Sequence, residues 1–311
     1  SRSFKYHRPR GLLCCSGHCP NCLVQVGEEP NVRACRRRVA PEMIVEPQNV
    51  TPTLMWDLLE PVMRFLSPFM PVGFYYKTLY RPKWLWKVSE PLLRAVAGLG
   101  KASHSAKPED LYDKQYPHGD VVVIGGGPTG ISAALSAAGR GANVLLIDEN
   151  EQLGGYLRIK ADAKDVVDEL CAAVSAHPNI QIITETTVTG WYDHNWLAAA
   201  RGDRLYKIRA GGVVLAAGLV ERPLLFDNND LPGVMLGSAA QCLLHLYAVR
   251  PGRRAMIVTA NDDGWEVAAD LHAAGVEVVA LADEREHAAC SSARVESLEA
   301  AFPVFWRHIV T

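Results

Sequence analysis

The chain has 311 residues, 49% hydrophobic and 21% charged, with a formal net charge of −2. That length accommodates two or three domains with real cores, and the near-neutral balance argues against nucleic acid as the main partner. No stretch approaches the roughly 18 to 20 apolar residues of a membrane span, and no signal peptide opens the chain. The eight cysteines therefore read as reduced thiols or metal ligands in a cytoplasmic setting, not as a disulfide scaffold. The sequence begins at Ser1, and a processed or truncated N-terminus is expected.

Residues 1–50 are rich in Cys, Arg and Pro, with one predicted strand at Leu23-Val24-Gln25-Val26. Within CCSGHCPNC, Cys14, Cys19 and Cys22 combine with Cys35 in the spacing C-x4-C-x2-C-x12-C. That spacing matches the plant-type ferredoxin loop, in which four thiolates hold a [2Fe–2S] cluster. Cys15 is then a spare thiol, and His18 is read as solvent-facing. Zinc is the rival, although all-cysteine zinc sites usually supply two C-x2-C pairs and only Cys19 and Cys22 form one here. Unligated thiols also stay open. Pro20 departs from the pattern, because it lacks the backbone N–H that such loops aim at cluster sulfur. The run Arg36-Arg37-Arg38 reads as a solvated loop.

Residues 51–115 form a predicted connector, rich in Trp, Tyr, Phe and Pro (FYYKTLYRPKWLWKV) and without a regular helical or strand period. Its aromatic rings are expected to pack on neighbouring surfaces, with a membrane-interface or ligand role as the alternative.

Residues 116–250 read as an FAD/NAD-binding Rossmann-like domain. VVVIGGG is a buried strand entering a glycine turn, GISAALSAAGRGA a small-residue helix, and NVLLIDEN a second buried strand. Gly125-Gly126-Gly127-Pro128-Thr129-Gly130 satisfies G-x-G-x-x-G between strand and helix. Gly125 would allow the tight turn, Gly127 the approach of a pyrophosphate, and Gly130 close helix–strand packing. N–H groups at the helix start would face the phosphates. Asp148 is placed to accept from ribose hydroxyls, with Glu149 in that role if the strand ends one residue later. An acid there disfavours NADP. The loop does not separate NAD from FAD. Gly154-Gly155, and Ala217-Gly218 in LAAGLVERP with the later LPGV, resemble the further turns of two-dinucleotide flavoproteins.

Residues 251–311 form a second, incomplete βαβ unit: RRAMIVTA, a helix through WEVAADLHAAG, then VEVVALADE. Its loop reads Thr259-Ala260-Asn261-Asp262-Asp263-Gly264, with one glycine and two adjacent acids that would repel a pyrophosphate. The unit is expected to keep the fold and bind no dinucleotide there in the usual way. Cys171, Cys242 and Cys290 read as packing residues.

The segments SFKYHRPRG, PNVRA, GFYYKTLYRPKWLWK, EPLLRAVAGLGK, VVVIGGGPTG and LPGV resemble the alpha subunit of heterotetrameric sarcosine oxidase, a likeness that covers essentially the whole chain. The resemblance implies an α/β, two-dinucleotide-binding-domain (FAD/NAD-linked reductase-like) fold preceded by a partial ferredoxin-like β-grasp domain. It implies NAD at the glycine loop and FMN at a subunit interface. It also implies a flavin-bearing beta-type subunit, accompanied by smaller subunits, on which the amine substrate is oxidised. By the same resemblance the opening β-grasp strands and a folate-binding domain lie outside this sequence, so a piece of a longer polypeptide is expected. The cysteines depart from typical sarcosine oxidase alpha subunits, which lack them. They resemble instead the iron–sulfur subunits of amine, opine and proline dehydrogenases. The function expected is an electron-transfer and scaffold subunit of a multi-subunit flavin oxidoreductase acting on a secondary amine or amino acid. No residue of this chain is singled out as catalytic, and its histidines show no metal-ligand spacing. Two alternatives stand: a self-contained NAD(P)H-dependent flavin reductase, and a non-catalytic assembly subunit with structural NAD.

Overall fold

The computed structural model describes residues 1–4, 6–69, 81–97, 113–287 and 293–310. Residues 74–80 of the aromatic run 74–88, together with His104 and Cys290, lie outside them. The chain divides into two compact units. A composite unit joins Ser1–Lys107, Arg222–Ala240 and Gly252–Thr311, and a glycine-loop unit joins Pro108–Glu221 and Gln241–Pro251.

In the composite unit, β1 (Leu23–Val26), β2 (Glu29–Arg33) and β3 (Val45–Pro47) form an antiparallel sheet in the order β2-β1-β3. The first ten residues fold back on themselves: Ser3 N–H donates to Arg8 O at 2.9 Å and Arg10 N–H to Ser1 O at 2.9 Å. Arg2 is buried, and its guanidinium donates to the carbonyls of His7 at 2.7 Å and Leu54 at 2.8 Å. His7 Nδ1 lies 3.0 Å from Asp57 Oδ2, both side chains excluded from water. Buried polar groups are tolerated when paired in this way. Farther along, Arg8 grips the Asp230 carboxylate with two bonds, Nε to Oδ2 at 2.8 Å and Nη2 to Oδ1 at 2.7 Å. Arg10 adds a third contact to Oδ2 at 2.5 Å. Gly11 sits so close to Pro232 that a Cβ would fall 2.9 Å from its Cα, and Leu236 N–H donates to Leu13 O at 3.0 Å. Residues 8–13 are thus seated on the 228–236 segment.

The described part of the connector contains two helices, α1 (Leu59–Leu66) and α2 (Lys83–Ala97). Helical order occurs here where the sequence shows no clear period. Pro61 falls in the first turn of α1, where its missing N–H costs nothing, and Pro91 interrupts the hydrogen-bond ladder of α2. Met55, Trp56, Phe65, Phe69 and Trp84 stay exposed, in contrast to the packing expected of aromatic residues in this segment.

The glycine-loop unit is one sheet. Strands β4 (Asp113–Gln115), β5 (His118–Ile124), β6 (Val144–Ile147), β7 (Ile180–Ile183), β8 (Thr187–Tyr192), β9 (Trp196–Arg201) and β10 (Arg204–Leu215) take the order β7-β6-β5-β10-β9-β8, with β4 also paired to β10. Strands β5, β6 and β7 are parallel, as their crossover helices require. All four residues of β6 are buried, which is why the run reads as continuously apolar. Strand β10 joins what the sequence suggests as two pieces: its first half pairs antiparallel with β9, its second half parallel with β5. Helix α3 (Pro128–Ala138) turns Gly130, Ala134 and Ala138 to the sheet at helical spacing. Ile131 and Ala134 pack with Val123, Val144, Leu146 and, from α4 (Lys164–Ala176), Val174. Val122, Leu145, Ile147, Leu197 and Ile208 form the opposite cluster, so β5 and β6 bury both faces.

The C-terminal part of the composite unit is a parallel sheet of β11 (Arg254–Thr259), β12 (Glu277–Asp283) and β13 (Val304–Trp306), with α5 (Asp263–Ala273) between β11 and β12. Helix α6 (Ala293–Glu299) precedes β13.

Candidate cofactor sites

The glycine loop follows β5 directly. Gly125 holds a left-handed φ of +106°, and a Cβ there would fall 2.2 Å from Ala216 O. A Cβ on Gly130 would fall 1.8 Å from Gly125 O. The fold itself demands both glycines. Gly127 is different: its φ is −75° and its nearest protein atom, Gly155 Cα, lies 3.9 Å from a built Cβ. Nothing in the protein requires glycine at that position, so the space it keeps is available to a ligand. Gly127 is also the N-cap of α3 and offers no side chain to the first-turn N–H groups. Those donors and the helix dipole face the same opening, the arrangement that binds phosphate. Pro128 occupies the N1 position and Thr129 is exposed.

The second glycine turn lies against the first. Gly154 N–H donates to Gly126 O at 2.8 Å, and a Cβ on Gly155 would fall 2.8 Å from Gly127 Cα. Ala216 N–H donates to Ile124 O at 2.8 Å, which sets Ala217 and Gly218 beside the loop, both exposed. Strand β6 ends at Ile147, and the next two acids diverge. Asp148 is buried, with Oδ2 accepting Gly126 N–H at 2.6 Å and Oδ1 accepting Asn150 N–H at 2.7 Å. Glu149 is exposed. Asp148 therefore braces the loop from within, and Glu149 is the acid on the solvent side. The sequence places both at the strand end but carries no signal for which one turns inward.

In the cysteine loop, Cys14 and Cys22 are buried while Cys19 and Cys35 are half-buried. The thiols associate in two pairs, Cys14 with Cys19 and Cys22 with Cys35. Burial opposes ionisation of Cys14, but donors from the Ser16 backbone and hydroxyl and from Cys19 outweigh it, and its pKa falls to about 7. The Cys35 hydrogen bond, working against burial, brings Cys22 to about 6. Cys19 is pushed up by burial, and Cys35 by its bond to Cys22 and then by burial. One thiolate per pair is thus favoured.

Two thiols for each of two metals is the division a [2Fe–2S] cluster makes. Among the described residues no three His, Cys, Asp or Glu side chains converge as a closed ligand set, so the four thiols stand as two separate pairs. Backbone donors reach the thiols from Ser16, Gly17, Asn21 and Ala34. Cys15 is buried, with a left-handed φ of +50°.

The unit around β11–β13 is filled by its own side chains. Asp283 ends β12 as Asp148 follows β6, yet it is fully buried. Its Oδ2 accepts from Trp265 Nε1 at 2.8 Å and Arg285 Nη2 at 2.9 Å, and its Oδ1 from Arg285 N at 2.9 Å. Burial raises its pKa, but the Arg285 and Trp265 donors prevail and hold it below the usual carboxylate range. Trp265 stacks on Trp306 at 5.3 Å, and Arg285 Nη1 also bonds Asp262 at 2.8 Å. Gly264 meets the Thr259 side chain, where a Cβ would fall 2.2 Å away. Neither Trp265 nor Arg285 stands out in the sequence, because neither belongs to a nucleotide-binding pattern.

Residues 1–50 match the family described as a 2Fe-2S iron-sulfur cluster binding domain, and residues 119–299 match pyridine nucleotide-disulphide oxidoreductase. The chain therefore carries a [2Fe–2S] cluster site and an FAD/NAD-type fold. It is 44% identical to the sarcosine oxidase subunit alpha of Rhizobium meliloti (strain 1021), over 91% of this chain and 31% of that protein. It is 30% identical to hydrogen cyanide synthase subunit HcnB of Pseudomonas aeruginosa, over 51% of this chain and 37% of that protein. The chain thus spans well under half the length of these curated relatives. Among solved structures, L-proline dehydrogenase from P. horikoshii shares the fold, with a TM-score of 0.62 and 24% identity over 91% of this chain and 46% of that one. No described helix is long and apolar enough to cross a membrane.

Proposed function

The chain belongs to the pyridine nucleotide-disulphide oxidoreductase family, and from that premise we propose that it is the electron-transfer and scaffold subunit of a multi-subunit, cytoplasmic flavin oxidoreductase. The reaction is oxidation of a CH–NH donor, a secondary amine or amino acid such as sarcosine. Substrate is bound and oxidised on a flavin-bearing beta-type partner, with an FMN at the interface and smaller subunits completing the assembly. The observation that carries this reading is the union, in one chain, of two thiol pairs suited to two irons with a glycine loop whose Gly127 leaves its opening clear.

Each group has a stated part. The N–H groups at the start of α3 hold the diphosphate of NAD or FAD, Gly127 admits it, and Gly126 is kept in place by Asp148. Glu149 takes the ribose hydroxyls. Gly154, Gly155, Ala217 and Gly218 line the same loop. Cys14 and Cys19 hold one iron and Cys22 and Cys35 the other, and the bound cluster supplies one-electron transfer. The β11–β13 unit takes no dinucleotide, since Trp265 and Arg285 already occupy the Asp283 carboxylate.

The test compares the purified chain with the intact complex, using sarcosine as donor. The complex should turn over and the chain alone should not, while anaerobic preparations contain two irons per chain. Turnover by the isolated chain, or bleaching of its own flavin on rapid mixing with NADH, would replace this reading with that of a self-contained reductase.

A further inference from the structure

Helix α1 turns to water the face that an amphipathic helix normally buries. Leu58, Val62, Phe65 and Leu66 recur at i, i+4, i+7 and i+8, the spacing of one helical face. They are exposed by 58%, 50%, 75% and 40%, and Phe69, one turn further on, by 74%. Met63, on the other side, is the buried residue of the helix. Its orientation is imposed by the start of the chain. Asp57 Oδ1 accepts the Leu59 N–H at 2.9 Å, while its Oδ2 lies 3.4 Å from Arg2 Nε and 3.0 Å from His7 Nδ1. Arg2 also donates to Glu60 Oε2 at 2.5 Å and to the Leu54 carbonyl at 2.8 Å. Rolling the helix over to bury the stripe would strand the buried Arg2 and Asp57 without their partners, so the stripe is held outward. The turn ahead of it is equally fixed. Leu58 N–H donates to Thr51 O at 2.7 Å and Trp56 N–H to Thr53 Oγ1 at 3.1 Å, with Met55 and Trp56 exposed.

The five stripe residues present on the order of 600 Å² of apolar side-chain surface, the upper end of what a monomer shows. Met55 and Trp56 bring the segment to about 1,000 Å², against the roughly 800 Å² that each partner gives to a standard interface. A rigid, uncharged surface of that size matches a permanent subunit interface, which resembles a domain core cut in half. None of the five positions is basic, so the stripe lacks the cations with which an interfacial helix holds a lipid surface. The relatives of this chain are themselves subunits, of sarcosine oxidase and of hydrogen cyanide synthase. The arm that clamps α1 runs on through Leu13 into Cys14, and the two belong to the same compact unit. A partner seated on α1 is therefore seated on the cluster-bearing part of the chain.

We propose that the exposed stripe of α1, Leu58, Val62, Phe65, Leu66 and Phe69, is the docking surface for an apolar groove on the flavin-bearing partner subunit. A short helix with anchors at this spacing is what such a groove accepts. The inference rests on the multi-subunit reading above and deepens it, because it names the helix face that mates and the chemistry of what covers it.

The experiment uses the complex assembled with its partner subunits, carrying an affinity tag on the flavin-bearing one. V62E/F65E places two carboxylates in the stripe and should weaken association with that subunit by at least about 100-fold, measured by sedimentation. The variant purified alone should keep its iron content and melting temperature, since both side chains face water there. Hydrogen exchange needs no variant: amides of residues 58–69 should exchange at least about 10-fold more slowly in the wild-type complex than in the subunit alone. Wild-type affinity in V62E/F65E, or equal exchange in the two states, would overturn the proposal. So would a lowered melting temperature of the isolated variant, because the chain itself would then cover the stripe. Two further results would reassign the surface. If the wild-type subunit dimerises alone and V62E/F65E does not, the occupant is a second copy. If vesicles containing anionic lipid capture the wild-type complex and not the variant, it is a membrane. Wild-type material separates the two layers: a preparation in which no flavin-bearing subunit co-purifies ends both readings, and a complex that assembles regardless of V62E/F65E ends only this one.

Discussion

Asp148 turns its carboxylate back onto the loop it follows, accepting the Gly126 N–H at 2.6 Å from a buried position. Its second oxygen accepts Asn150 N–H at 2.7 Å. A charged acceptor with two backbone donors is a brace, and removing it leaves buried N–H groups unsatisfied. Asp148→Ala should therefore lower folding stability by about 1–3 kcal/mol and weaken nucleotide binding as a consequence. Glu149→Ala should leave the melting temperature nearly unchanged and weaken nucleotide binding by about 10-fold, the scale of one charge-assisted bond. Thermal unfolding together with calorimetric titration of nucleotide checks the pair. Equal losses of stability in both variants would contradict the division of roles.

The two helix-side glycines should respond in opposite ways. In Gly130→Ala the new methyl meets Gly125 O at 1.8 Å, so the strand–helix junction has to open and the protein should be destabilised by several kcal/mol, about the cost of overpacking. In Gly127→Val the nearest protein atom to the Cβ is 3.9 Å away, and the fold should survive. Bound nucleotide should nevertheless be lost, because the side chain stands where the pyrophosphate passes. Nucleotide content after gel filtration, measured beside circular dichroism, distinguishes the outcomes.

Asp283 predicts an acid-sensitive element. Its folded pKa lies below the unfolded value, so its contribution is complete above the ordinary carboxylate range near about 3.9. That contribution fades as pH falls through the depressed folded value. Asp283→Asn should flatten the acid limb of the stability curve. Asp283→Ala should cost about 1–3 kcal/mol at neutral pH, because it leaves the buried Trp265 N–H without its acceptor, whereas Arg285 keeps Asp262. Denaturant titrations across acid pH measure both effects.

The thiol pairs give a stoichiometric expectation. Cys15→Ser should retain two irons per chain, since Cys15 belongs to neither pair, and Cys35→Ser should lose the cluster. Iron assay and visible absorbance of anaerobic preparations decide it.

The parts of this molecule legible in the sequence are those fixed by local pattern. The buried run of β6, the left-handed turn at Gly125, the close approach of Gly130 to Gly125 O, and the spacing of Cys14, Cys19 and Cys22 each follow from neighbours a few residues away. What stayed hidden depends on distant partners. Which of Asp148 and Glu149 turns inward depends on Gly126, 22 residues earlier. The seal over Asp283 depends on Trp265, whose indole reads as ordinary helix core. The backbone donors that reach the thiols come from Ser16, Gly17, Asn21 and Ala34, and no spacing rule announces them. The helices at 59–66 and 83–97 carry proline within them, which obscures their period.

The grip of Arg8 on Asp230 joins residues 222 positions apart, and that separation sets an order in time during synthesis. The cysteine loop leaves the ribosome first, but the segment on which residues 8–13 rest is not yet made. At about 5–20 residues per second, roughly ten to forty seconds pass before Asp230 emerges. Through that interval the nascent thiols lack their final seat, which forms only once residues 228–236 have been translated.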